Sequence, residues 1–221
     1  MVFKSGSFTA VVGESGCGKS TTAGIIMGHM KNYTGNVTID GNSLSQISEA
    51  SLMKHITYVG HNSYLFKGTV RQNLLMGSPE AKDDKLWEML KEVNLADFLK
   101  GEDGLDTKLL EKASNFSGGQ CQRLALARTL CHKKPLIILD DPFSALDKDT
   151  EREAFANIKE YTKDCIVILI SHRLYLFPQM DKVIWMENGK TIAGTHDEIM
   201  NKCPQYAVLY NEQKGGASDE E

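Results

Sequence analysis

Short apolar runs punctuate the chain at Phe8–Val12, Val37–Asp40, Ile56–Val59, Leu136–Asp140, Cys165–Ile170, Val183–Met186 and Thr191–Ala193. They are strand-sized, rich in β-branched residues and bounded by Gly, Asn or Asp, which predicts strands. Between them the period changes to that of a helix. Leu86, Met89, Leu90 and Val93 fall at i, i+3, i+4 and i+7, one apolar face, and Ala154, Phe155, Ile158 and Tyr161 form a similar stripe. Helices are also predicted over Thr21–Met30 and Cys121–Leu130, and Asn188 with Gly189 marks a two-residue hairpin between strand runs. Strands alternating with helices predict an α/β fold with a mostly parallel sheet and a small antiparallel β part. Residues 68–130 show helical patterns and loops without a strand run, so a helical subdomain is expected inside the α/β core. The acidic end, 214–221, is expected to be a disordered tail.

Composition narrows the possible functions. The 221 residues are 41% hydrophobic and 24% charged, the balance of a soluble globular chain. A net charge of −4 offers no basic field to a phosphodiester backbone, so no nucleic-acid partner is expected. No apolar run approaches the roughly 18 residues of a membrane-spanning helix. The first residues carry no signal-peptide pattern. Cys17, Cys121, Cys131, Cys165 and Cys203 are odd in number and widely spaced, which reads as reduced thiols in a cytoplasmic setting.

Candidate chemistry begins at Gly13-Glu14-Ser15-Gly16-Cys17-Gly18-Lys19-Ser20, a G-x-x-x-x-G-K-S phosphate loop between a strand run and a predicted helix that opens at Thr21. Its glycines let the backbone wrap around phosphate with inward N–H groups, and the helix N-terminus adds partial positive charge. Lys19 is expected to reach the β- and γ-phosphates of ATP, and Ser20 to offer its hydroxyl to Mg²⁺. Cys17 lies within the loop, so its alkylation is expected to block nucleotide binding.

Further along, Phe116-Ser117-Gly118-Gly119-Gln120-Cys121-Gln122-Arg123 precedes a helix; Ser117 and Gln120 by themselves fit a capping box as well as a functional motif. Then come Leu136-Ile137-Ile138-Leu139-Asp140-Asp141-Pro142, Ser144-Ala145-Leu146-Asp147 and Ser171-His172-Arg173. This ordered set resembles the ATP-binding cassette of ABC transporters over nearly the whole chain, with signature motif, Walker B strand, D-loop and histidine switch in family order. The segments Tyr58–His61, Leu65-Phe66 and Gly68–Leu74 are similar to the exporter type.

The resemblance implies a P-loop NTPase core over 1–213, with the signature inside 68–130. It implies that Asp140 serves Mg²⁺ and that His172 contacts the γ-phosphate and helps orient the attacking water. Ser117, Gly118, Gly119 and Gln120 would meet the nucleotide of a second cassette, of the same or a different chain, with Asp147 signalling across that interface. The implied assembly includes the transmembrane domain of an exporter, so this chain is expected on the cytoplasmic side of a membrane, soluble by itself.

Several positions depart from the family pattern. Asp141 stands where the catalytic glutamate is usual; its carboxylate is withdrawn by one methylene, and a misplacement of about 1 Å can cost ~10²-fold, so slow hydrolysis is expected. His61 occupies the Q-loop glutamine position, where an imidazole nitrogen suits Mg²⁺ less well than an oxygen. The pairing of the two resembles the degenerate half of heterodimeric exporters. An ATP-binding regulatory cassette that completes a partner's site is therefore the alternative to a slow ATPase. Met1 lies 12 residues before Gly13, leaving no place for the family's upstream strands and adenine-stacking aromatic, so an incomplete cassette or excised fragment with weakened nucleotide affinity is expected. The stretch Thr107–Ala113 keeps Glu111 but lacks the glycines usual around it.

Overall fold

The computed structural model describes residues 1–60 and 64–215. In chain order the strands are β1 (Phe8–Gly13), β2 (Thr38–Ile39), β3 (Asn42–Ser43), β4 (Ile56–Val59), β5 (Gly68–Thr69), β6 (Lys108–Leu109), β7 (Leu136–Asp140), β8 (Ile166–Ile170), β9 (Lys182–Glu187) and β10 (Lys190–Gly194). The helices are α1 (Lys19–Ile26), α2 (Glu49–His55), α3 (Val70–Leu75), α4 (Asp83–Glu92), α5 (Ala96–Lys100), α6 (Gly118–Leu130), α7 (Lys148–Tyr161), α8 (His196–Lys202) and α9 (Pro204–Gly215). The chain divides into two units, one formed by Met1–Thr57, Lys134–Asp140 and the segment from Asp164, the other by Tyr58–Lys133 and Asp141–Lys163.

The first unit is organised by β1, every residue of which is buried. It pairs in parallel with β8 on one side and β9 on the other, with Ala10 opposite both Leu169 and Val183. The full order is β10-β9-β1-β8-β7-β4, with β7 parallel to β8 and β10 antiparallel to β9. Interior parallel strands are covered on both faces, which is why their sequences are almost continuously apolar. Val11, Ile138, Ile168, Ile170, Ile184 and Met186 share one core with Ala23 of α1, Leu52 of α2 and Leu44 of the 3₁₀ turn Leu44–Gln46.

The β9–β10 hairpin turns at Asn188 and Gly189, both at positive φ (47° and 73°) as a tight type I′-like turn demands. The expected strand Val37–Asp40 shortens to Thr38–Ile39, because Asp40 and Gly41 turn with positive φ into β3. Helix α1 starts earlier than Thr21, at Lys19 behind the left-handed Gly18, and ends at Ile26, short of the expected Met30, ahead of Gly28 at φ 76°.

The second unit packs around fully buried leucines, among them Leu74, Leu86, Leu90, Leu95, Leu99 and Leu124, with Met89. The stripe Leu86, Met89, Leu90 and Val93 is wholly buried, as its spacing predicts. Helix α6 begins at Gly118, three residues before the expected Cys121, because Ser117 caps it. The absence of strand expected over 68–130 needs correcting: β5 and β6 pair antiparallel, Gly68 opposite Leu109. Two residues per strand are too few to show an alternating pattern. At the other end of the chain, α9 carries helix through Lys214 and Gly215, into the stretch expected to be disordered; 216–221 lie outside the described residues.

Candidate functional site

In the first unit the chain leaves β1 at Gly13 and re-enters helix at Lys19, so the loop between them sits at the C-terminal edge of a parallel sheet. Ligand sites of open α/β sheets gather there. Gly18 is the N-cap of α1 at φ 103°, a conformation open to glycine at little cost, and it turns the first helical N–H groups toward the loop. Lys19 is only 7% exposed, and its ammonium is satisfied by two loop carbonyls, donating to Gly13 O at 2.7 Å and Glu14 O at 2.9 Å. The Cys17 thiol is 3.8 Å from the same Nζ. Glu14, Ser15 and Gly16 are exposed, as is Thr21 in the first turn.

From the end of β7, Asp140 meets this loop: Ser20 Oγ donates to Asp140 Oδ2 at 3.4 Å. After β8, Ser171 is buried and His172 exposed. Three hydrogen bonds from two side chains hold the backbone there. Arg173 N donates to Ser171 Oγ at 3.0 Å, Leu174 N donates to Gln213 Oε1 at 2.8 Å, and Gln213 Nε2 donates to His172 O at 2.6 Å.

The second unit carries the other motifs on α6 and the turns after β7. Ser117 caps α6 by a reciprocal box: its Oγ accepts from Gln120 N at 3.2 Å, and Gln120 Oε1 accepts from Ser117 N at 2.8 Å. A Cβ on Gly119 would stand 2.8 Å from Ala145 O, so the signature helix and the Ser144–Asp147 turn approach as closely as glycine allows. Gln122, nearly buried, ties the two together. Its Nε2 donates to Asp141 O and to Ser144 Oγ, both at 3.0 Å, and its Oε1 accepts from Ala145 N at 2.9 Å. Asp141 has a left-handed backbone, φ 47°. Asp147 is exposed and caps α7, accepting from Thr150 N at 2.9 Å. The Thr150 N–H holds its carboxyl below the usual carboxylate range.

Residues 1–144 match the ABC transporter family model. The chain belongs to this family. It is 39% identical over 204 residues to an uncharacterized ABC transporter ATP-binding protein of Haemophilus influenzae, covering 92% of this chain and 36% of that protein. It is 33% identical over 210 residues to an ATP-dependent lipid A-core flippase of Saccharophagus degradans, covering 94% of this chain and 36% of the flippase. Among solved structures, a bacterial Atm1-family ABC exporter with ATP bound matches with a TM-score of 0.89 at 30% identity, over 96% of this chain and 37% of that one. The chain thus spans little more than a third of the relatives it matches. It is an ATP-binding domain of the exporter type, and its fold, mostly parallel sheet with small antiparallel sheets and helices, is that of an exporter cassette.

Within this cassette the first unit brings together Gly13–Ser20 and Asp140, and it also carries His172. The second brings together Ser117–Gln120, Asp141 and the turn leading to Asp147. His61 lies outside the described residues. The capping alternative for Ser117 and Gln120 is realised, which leaves the Gln120 amide oxygen occupied. Gln122 and Gln213 are not singled out by the sequence. Gln122 had a faint signal, a long polar side chain two residues past Gln120 that falls to 9% exposure; Gln213 had none.

The donor set suits Mg²⁺. Ser20 and Asp140 offer hard oxygens that already converge, and Mg²⁺ is commonly held by one or two such groups together with substrate phosphates. Among the described residues no group of three or more His, Cys, Asp or Glu could hold a metal by itself. No helix among them is long and apolar enough to cross a membrane.

Proposed function

We propose that this cassette binds Mg-ATP and, paired head to tail with a second cassette, hydrolyses it slowly to power export through an associated transmembrane domain. The observation that carries the reading is the convergence of Ser20 Oγ on Asp140 Oδ2 beside the buried Lys19. In this reading Lys19 releases loop carbonyls to bind β- and γ-phosphate oxygens, while Ser20 and Asp140 orient the cation, which supplies charge neutralisation on the phosphates. Asp141 polarises the attacking water and His172 holds it near the γ-phosphate. Ser117, Gly118 and Gly119 close on the nucleotide of the other cassette through the exposed N-terminus of α6, with Asp147 at the interface. The chain then sits at the cytoplasmic face of a membrane through its transmembrane partner.

A second reading is an ATP-binding regulatory cassette with negligible hydrolysis, the degenerate half of a heterodimeric exporter. The left-handed backbone at Asp141 favours it, since that conformation suits Asp and Asn better than longer side chains and argues for a position adapted to the short carboxylate.

The test is Mg-ATP turnover in the full transporter beside Lys19→Ala and Asp141→Glu, with ATP binding measured on the same samples. Slow turnover lost in Lys19→Ala and raised about 10-fold by Asp141→Glu supports the ATPase. ATP binding with no turnover in either the parent or Asp141→Glu supports the regulatory cassette. Unaltered ATP affinity in Lys19→Ala sinks both.

A further inference from the structure

The histidine segment leaves the sheet where β8 ends at Ile170, so the backbone from Ser171 to Leu174 has no strand neighbour to hold it. One side chain takes that place. The Gln213 carboxamide donates to His172 O at 2.6 Å and accepts from Leu174 N at 2.8 Å. A carbonyl at i and an N–H at i+2 are the pair that an adjacent strand would satisfy, and only an amide side chain offers donor and acceptor together in that geometry.

Gln213 can do this because α9 is fixed at its other end. Tyr206, with no exposed surface, is stacked on Phe177 at 6.5 Å and edge-on to Trp185 at 6.0 Å, and its hydroxyl is 2.7 Å from His196 Nδ1. Phe177 belongs to the 3₁₀ turn Leu174–Gln179 that directly follows the histidine segment, so anchor and clasp act on one piece of chain.

We infer that Gln213 is a positioning residue for His172, through which α9 sets the place of the histidine switch. This rests on the proposed role of His172 in hydrolysis. Without the clasp His172 and Leu174 exchange their fixed partners for water. The imidazole then samples positions off the γ-phosphate, while the phosphate loop that binds ATP is untouched.

The experiment compares Gln213→Ala, Gln213→Glu, His172→Ala and the Gln213→Ala/His172→Ala double variant in the full chain, under single-turnover conditions that resolve slow hydrolysis. Gln213→Glu keeps the acceptor for Leu174 but sets a carboxylate oxygen against His172 O, so it tests the clasp without shortening the side chain. Both Gln213 variants should lower the hydrolysis rate about 10-fold with ATP affinity unchanged. The double variant should be no slower than His172→Ala, the non-additivity of residues acting as one unit. Amide exchange at Leu174 should quicken in Gln213→Ala while β8 amides keep their protection. Full activity in Gln213→Ala beside a slowed His172→Ala overturns the positioning role alone, as does a loss that multiplies with that of His172→Ala or appears only as weaker ATP binding. An unaffected His172→Ala overturns the role of His172 and the clasp together.

Discussion

In the first unit the candidate groups hang on the C-terminal ends of the parallel strands β1, β7 and β8, where Lys19 rests on two loop carbonyls and the Gln213 carboxamide grips the backbone of His172. In the second unit they hang on one helix and its adjoining turns, and side chains do the holding, with Gln122 bonded to Asp141, Ser144 and Ala145. The phosphate loop is intact. In the second unit Asp141, Lys112 and Ala113 all occupy left-handed backbone (φ 47°, 54° and 51°).

The largest effects should come from a matched pair of glycines. A Cβ at Gly13 would stand 2.0 Å from Met186 O, and one at Gly77 would stand 2.0 Å from Arg128 O. Gly13→Ala should destabilise the first unit and Gly77→Ala the second, each by about 3 kcal/mol. Amide exchange should show the loss confined to the unit that carries the change; equal loosening of both units by either variant would show that they unfold as one.

Next comes the side-chain hub. Gln122→Ala removes the acceptor of the Ala145 N–H and a donor to the Asp141 carbonyl, and it should cost about 2 kcal/mol in urea denaturation. Turnover should fall with it while ATP affinity, which the proposed phosphate loop sets, stays put. A smaller gain is expected from Lys112→Gly, which removes a side chain from left-handed backbone. Relief of about 1 kcal/mol, partly offset by the flexibility glycine adds to the unfolded chain, should leave a net rise near 0.5 kcal/mol in the same assay.

The smallest effect is one of pH. Burial beside Tyr206 and Tyr210 lowers the His196 pKa from its ordinary value, with Asp197 opposing. The unfolded chain therefore takes up this proton first as pH falls. The contribution of His196 is complete above about pH 6.5 and is lost as pH drops through the folded-state value. The urea midpoint should fall between pH 7.5 and 5.5 by more in the parent than in His196→Gln, and equal slopes would remove His196 from the account.

Much of the architecture was legible because it is local. The apolar runs became β1, β4, β7, β8, β9 and β10 with ends within a residue or so; the interior strands β1, β7, β8 and β9 are apolar almost throughout because they are covered on both faces, whereas β10 is an exposed edge strand marked by its hairpin turn. Asn188 and Gly189 specify their turn by their own dihedrals, and Ser117 with Gln120 specify a helix start by reciprocal bonds three residues apart. The β2–β3 and β5–β6 pairs were partly or wholly invisible, because strands of two residues show no alternation and β3 carries only Asn42 and Ser43. The long-range clasps were hidden for a different reason: Gln213 lies 41 residues from His172, and no periodicity links a glutamine on a terminal helix to a carbonyl past a strand.

The sequence by itself thus determined the phosphate loop, the order of the motifs and the α/β alternation. Each is written in residue type, short spacing or backbone preference, and needs no partner far along the chain. Only the tertiary structure decided that β9, late in sequence, lies beside β1, that Ser20 meets Asp140, that Gln122 bridges the signature helix to the D-loop, and that α9 grips the histidine segment. Those are pairings of donors with acceptors across folded space. Most buried polar groups find a partner, but which one each finds depends on where packing of the apolar core has carried it.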